Sequence, residues 1–327
     1  MAGPLKTYSH LAGARRRPTE YEIVTTRLHH HVERGFAVKT PTTDWYARYQ
    51  RGSAWRTADW ERFVDPRETT YTKYTRLQHV KEAFVDGLLS SIDESTYDAA
   101  LSPEARALLE RALPPLRFVL HGFQMIAAYV GQMAPEGRVT IAALLQAADE
   151  VRRIQRIAYR MAQLRRLGPT FGADGRARFE TDPAWQPLRQ VVESLLVTYD
   201  WAEAFVALNV CVKPIVDELF MVALPALAKA RGDFVLGQIW ASLDEDCQWQ
   251  RQWTAALVRV ALAEEDHNRS VAAAWVRAWV PEADRALEAL APMLASAAGV
   301  AFDATAVGER AAAFRRALEM EPEGGAP

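Results

Sequence analysis

From Thr70 to Ala298 the apolar residues return at three- and four-residue steps, and no segment carries a sustained strand period, which restricts the fold to packed helices. Thr70 to Ser90 reads as a helix with Tyr74, Leu77, Val80, Phe84 and Leu88 along one stripe. Ser102-Pro103-Glu104 opens the next helix in the order cap, then proline, and Pro114-Pro115 is expected to end it. Leu116 to Met133 is apolar almost all round, the pattern of a helix buried among others. Thr140 can cap a helix running to Gly168-Pro169, and a polar stretch, Thr170 to Pro187, leads to another from Leu188 into Ala204. Pro214 and Pro225 should kink or break Trp201 to Ala230, before long helices over Phe234 to Ala263, Asn268 to Val280 and Glu282 to Ala298. The fold class is all-α.

Residues 1–68 differ. They are rich in aromatic, basic and turn-forming residues, among them Tyr21, Trp45, Tyr46, Trp55 and Trp60, and show little helical period. Aromatics and Arg concentrate at interface centres, so this segment reads as an arm that wraps a partner subunit, the alternative being that it folds over its own bundle. The helical domain then spans 69–318, with a frayed tail at 319–327.

Length and composition allow a large core, since 50% of the 327 residues are hydrophobic. A net charge of -2, from 39 basic and 41 acidic residues, argues against nucleic acid or an anionic membrane as partner. Two cysteines, Cys211 and Cys247, are too few for a disulfide framework, and neither a secretory signal nor a membrane span is legible. A cytoplasmic location is expected.

Two segments, Asp149-Glu150-Val151-Arg152-Arg153 and Asp244-Glu245-Asp246-Cys247-Gln248, look like damaged metal-binding motifs. In di-iron helical bundles, two helices each carry Glu-x-x-His, because an i, i+3 spacing aims a carboxylate and an imidazole at one ion. Here Glu150 and Glu245 remain, while Arg153 and Gln248 stand where histidines belong. A guanidinium cannot bind a metal, and an amide oxygen is a weak ligand. Counting from Glu150 gives Ala147, Ile154, Ile157 and Met161, an apolar face; Glu245 shares a mixed face with Ala241, Gln248, Trp249 and Ala256. The paired helices should each supply a lone carboxylate some 25 to 35 residues upstream, by helix rise and turn length. Pro115 to Met125 holds none, whereas Asp217 and Glu218 lie in the second window, beside Lys213. An ion pair that replaces the metal is the physical expectation, with Arg153 and Lys213 as cations and Glu150 and Glu245 as acceptors.

Other features point elsewhere. Glu264-Glu265-Asp266-His267 is a literal Glu-x-x-His without a second copy, His29-His30-His31 lies in the irregular arm, and His121 reads as a satisfied core histidine. Arg15-Arg16-Arg17 reads as a solvated or interface segment.

Several stretches carry a family resemblance: Lys6-Thr7-Tyr8-Ser9-His10-Leu11, Pro18-Thr19-Glu20-Tyr21-Glu22, Asp59-Trp60-Glu61-Arg62-Phe63 with Asp65-Pro66, Ala128 to Pro135, Asp200 to Phe205, Asn209 to Pro214 and Trp279-Val280-Pro281. In these the chain resembles the β subunit of the hydroxylase component of soluble di-iron, bacterial multicomponent monooxygenases, in the toluene/aromatic and alkene branch. The resemblance implies a ferritin-like helical bundle with additional helices, no catalytic residue, no cofactor and no metal in this chain. It implies a partner α subunit that holds the di-iron centre, a small γ subunit in a paired αβγ assembly, and an effector protein, Rieske-type ferredoxin and NADH-fed reductase. It also sets the missing carboxylates near Leu120 and near Cys211 to Lys213. The competing reading is an independent helical metalloprotein using Glu150, Glu245 and Asp217 or Glu218, and a third is a self-assembling scaffold.

Overall fold

The structure, a computed structural model, describes residues 11, 16–26, 40–263 and 266–320. His29 to His31, Arg15, Glu264-Glu265 and 321–327 of the expected tail therefore lie outside the described residues. Short helices α1 (Glu20–Thr25) and α2 (Pro41–Tyr46, running on into a π turn at Ala47–Arg51) precede α3 (Tyr71–Asp93) and α4 (Tyr97–Ala100). Two long helices follow, α5 (Pro103–Met133) and α6 (Gly137–Arg165), then α7 (Gly175–Thr181) and α8 (Gln186–Leu196). A continuous rod comes next: α9 (Trp201–Val206), a π turn (Ala207–Val212), α10 (Lys213–Asp217), a second π turn (Glu218–Ala223) and α11 (Leu224–Ala230). Helices α12 (Phe234–Leu262), α13 (Asp266–Ala298) and α14 (Ala304–Ala317) complete the chain, and the described residues contain no strand. The all-α, bundle-type fold class is as read from the sequence.

The α5–α6 hairpin, the α9–α11 rod and α12 surround one continuous core, with α13 laid along α5, α8 and the rod. Trp185, Trp201, Trp240 and Trp253 are wholly buried there. Large rings of this kind dominate core energetics because each buries so much apolar area.

Four helix boundaries differ from the sequence expectation; α6 starts at Gly137 with Glu136 as its cap, so Thr140 lies inside its first turn, and the other three have local reasons. Pro114-Pro115 does not end a helix, because α5 runs through both prolines. Room for Pro114 comes from two glycines: a Cβ on Gly175 would lie 2.4 Å from Pro114 Cβ, and one on Gly172 would lie 3.0 Å from Pro114 Cγ. Pro281 is likewise carried inside α13, so the two expected helices are one. Conversely, the helix expected from Leu188 into Ala204 breaks after Leu196, and Asp200 caps α9 by accepting from the Ala202 and Glu203 amides. In the rod, Pro214 and Pro225 each fall in the first turn after a π segment, where the missing N–H and displaced carbonyl are absorbed without a break.

Residues 40–68 of the expected arm lie against the chain's own bundle. Trp55 and Phe63 are buried in the core. Ser53 Oγ and the Ala54 amide donate to Asp200 at 2.6 and 2.8 Å, and Asn268 exchanges hydrogen bonds with the Arg56 backbone. Arg138 of α6 donates to the Glu61 carbonyl and to Thr26, which ties α1 down as well.

Candidate functional site

Glu150 and Arg153 face the bundle interior from α6, and neither exposes any surface. Their neighbours at helical spacing, Ile157 and Met161, are core residues, so the apolar face counted in the sequence is the inner one. Arg153 Nη1 lies 3.2 Å from Glu150 and donates to Asp217 of α10 at 3.1 Å. Lys213, one turn before Asp217, donates to both of its carboxylate oxygens at 2.8 and 2.9 Å and lies 3.2 Å from Glu150. Two acids and two cations thus neutralise one another with no solvent access. Burial opposes the charge on Asp217, yet Lys213 and then Arg153 hold its carboxyl below the usual range. The same acids raise the Lys213 and Arg153 values against their own burial.

The second motif corrects the sequence expectation. Glu245 and Gln248 lie on the outer side of α12: the Glu245 side chain is 64% exposed and pairs with Lys81, while Gln248 donates to Asp244. Glu245 is therefore not an acceptor for Arg153 or Lys213. The inner face runs through Leu243, Cys247, Gln250, Thr254 and Leu257, all buried. Gln250 is the link the sequence reading missed. Its oxygen accepts from Arg153 Nη2 at 2.9 Å and its amide donates to Asp149 at 3.0 Å. Counting by threes and fours from Leu243, instead of from the acidic residue, would have found it.

Asp149 extends the network to α3. Tyr74 and Gln78 donate to its Oδ1 at 2.8 and 2.9 Å, and Gln78 also reaches Asp246 at 3.0 Å. With burial as the main cause and the nearby Asp246 charge adding to it, the Asp149 carboxyl is pushed up to about 7. Asp246 accepts from Lys81 and from Arg152 at 2.7 and 2.6 Å, and Arg152 also pairs with Glu82.

The donor set does not fit a bound metal. A guanidinium and an ammonium stand between the carboxylates that could bridge two ions, and both are held charged. Leu120 is apolar and buried. Burial pushes the Cys211 thiol up to about 12 and raises that of Cys247, so neither offers a thiolate. Among the described residues no group of three or more His, Cys, Asp and Glu side chains stands where it could hold an ion. His267 meets the Ala54 carbonyl at 3.1 Å, and His121 is exposed rather than in the core. No helix among the described residues is long and apolar enough to cross a membrane.

Comparison with known proteins identifies the family of this fold. The model of a family described as Methane/Phenol/Alkene Hydroxylase matches residues 45–265. The hydroxylase component subunit beta of the toluene-4-monooxygenase system of Ectopseudomonas mendocina is 35% identical over 300 residues, covering 90% of this chain and 91% of that one. An oxygenase component of phenol 2-monooxygenase from Pseudomonas sp. (strain CF600) is 27% identical over 250 residues, 76% of this chain and 74% of that one. A chain in a solved structure of toluene 4-monooxygenase with toluene in its resting active site superposes with a TM-score of 0.84 at 33% identity, covering 90% of this chain and 99% of that one. A chain of phenol hydroxylase from Pseudomonas sp. OX1 gives 0.86 over 99% of this chain and 98% of its own, and at 21% identity it speaks for the fold alone. With a family match over more than half its length and a relative at 35% identity over nine tenths of it, the chain belongs to the methane/phenol/alkene hydroxylase family, among the β subunits of its hydroxylase components.

Proposed function

We propose that this chain is the non-catalytic β subunit of a multicomponent monooxygenase, holding a larger catalytic α subunit in shape while that subunit hydroxylates a small hydrocarbon with O2 and electrons from NADH. One observation carries this reading: Arg153 and Lys213 fill the place between Glu150 and Asp217 that two metal ions would need. Glu150 with Arg153, and Cys247 with Gln250, are then the vestige of two Glu-x-x-His motifs, and the di-iron centre belongs to the α subunit. The substrate class we assign is a toluene-like aromatic, on the name of the relative at 35% identity. Relatives named for phenol and propane oxidation are less similar, at 27% and 25%, and an alkene or isoprene substrate is the weaker reading. A small γ subunit, an effector protein, a Rieske-type ferredoxin and a reductase complete the proposed system, working in the cytoplasm, with the outward side of the described residues 40–68 available to the α subunit.

The test is purification of the chain, alone and from its native source, with metal analysis of each fraction. The reading predicts far less than one iron or manganese per isolated chain, and co-purification with a larger protein carrying two Glu-x-x-His motifs. Stoichiometric metal in the isolated chain would favour the independent metalloprotein instead.

A further inference from the structure

Helix α3 is built inside out. The middle of the stripe that the sequence marks as its core side faces away from the bundle: Leu77 is 45% exposed, Val80 69% and Phe84 53%, while Tyr74 and Leu88 at its ends are partly buried against the core. Through Glu82, the side facing the bundle is polar, and it is held by hydrogen bonds and ion pairs: Tyr74 and Gln78 to Asp149, Lys81 to Asp246, and Glu82 to Arg152 and Arg156. Apolar burial against the bundle begins only at Val85. An amphipathic helix that turns its polar side inward gains from its apolar stripe only when a second surface covers it.

The exposed face has the shape of a helix seat. Ala83, Gly87 and Ser91 are exposed at four-residue spacing, and a Cβ on Gly87 would meet nothing within 4 Å. Small residues at that spacing form a groove for another helix to enter, with Phe84 and half-buried Leu88 beside it. From Leu77 to Leu88 the stripe is about 17 Å long, or three turns, enough to anchor a partner helix at i, i+3 and i+7. Charge narrows the partner. Glu82 and Asp86 are tied to Arg156 and Asp93 to Arg166, whereas the Arg76 guanidinium has no partner among the described residues. A complementary surface is therefore apolar along one helix, with acidic residues at its rim.

We propose that the face of α3 formed by Leu77, Val80, Phe84 and Gly87 is the docking site of an acidic-rimmed helix of the larger catalytic subunit. This rests on the β-subunit reading, which supplies a permanent partner, and permanent interfaces are the more apolar ones. The seat lies directly outside the Asp149 and Asp246 network, so the partner would press on the helix that closes the vestigial site.

The experiment is co-expression of the full chain with its neighbouring hydroxylase subunits, using wild type and the double variant Val80→Asp/Phe84→Glu. Circular dichroism of the isolated variant should match wild type, because both side chains are exposed. The expected result is at least a tenfold loss of the co-purifying subunit that carries two Glu-x-x-His motifs. Undiminished assembly of the variant would overturn the assignment of this face while leaving the β-subunit reading intact. Failure of wild type to capture any such subunit would sink that reading itself. Should the variant misfold, amide hydrogen exchange over residues 71–91 of wild type decides: exchange at least tenfold slower in the assembly than in the isolated chain supports the proposal, and equal rates refute it. A self-dimer that the double variant splits, with assembly untouched, would assign the face to a second copy and also refute it.

Discussion

Glu150, Arg153, Lys213 and Asp217 are all buried, and their two negative and two positive charges cancel only while all four are present. Replacing Arg153 by Met leaves Glu150 and Asp217 facing Lys213 alone, and an uncompensated buried charge costs about 3–5 kcal/mol. Urea unfolding of Arg153→Met should show a loss of that size, and the double variant Arg153→Met/Glu150→Gln should recover much of it. A loss under about 1 kcal/mol would mean that the cluster is not mutually dependent. Asp149 gives a second prediction at this scale. Its carboxyl is raised from 3.8 to about 7, so the folded state holds a proton there that the unfolded chain has lost. Its contribution is full below about pH 4 and declines as pH rises through about 7. Asp149→Asn should therefore remove a fall in stability between those pH values, even though its amide faces the Gln250 donor and lowers the absolute value by about 1–3 kcal/mol. Stability curves for wild type and variant that stay parallel across that range would contradict the assignment. Glu150 and Arg153 were readable in sequence because the turns around them are apolar. Gln250 and Cys247 were not, because the acidic Glu245 drew attention to the wrong side of α12.

Helix period was legible in the long helices and not in α1, α2, α7 and α14, and what a proline does inside a helix depends on what lies against it. Pro114 is carried because Gly172 and Gly175 leave space beside α5, a tertiary fact absent from the local pattern. Gly175→Ala should thus destabilise the chain by about 1–3 kcal/mol through overpacking, read as a lower urea midpoint. Gly87→Ala in α3, with open space above it, should stabilise the isolated chain by about 0.5–1 kcal/mol. If both substitutions behaved alike, the packing account of these helices would be wrong. The α3 stripe makes the same point about direction. Its spacing was read correctly and its orientation was not, because the residues that fix that orientation, Asp149, Arg152 and Asp246, belong to other helices.

At the scale of the molecule, a helical bundle keeps the helix arrangement of a metal-site scaffold while its centre is occupied by fixed charge. The sequence named Glu150, Arg153 and Lys213 of that cluster through residue chemistry, because an arginine on an apolar helix face needs buried acids, but set Glu245 where Asp217 is the acceptor. It could not tell how the first 68 residues are divided between their own bundle and a partner, since aromatic residues serve both. The described stretch 40–68 is committed to its own core through Trp55 and Phe63. The most direct test of the whole account is anaerobic iron loading of the purified chain, followed by iron quantification and Mössbauer spectroscopy, beside the assembled hydroxylase. The account predicts a bridged di-iron signal in the assembly that tracks the larger subunit, and none in this chain alone. A bridged pair of irons in the isolated chain, lost on Glu150→Ala, would contradict it.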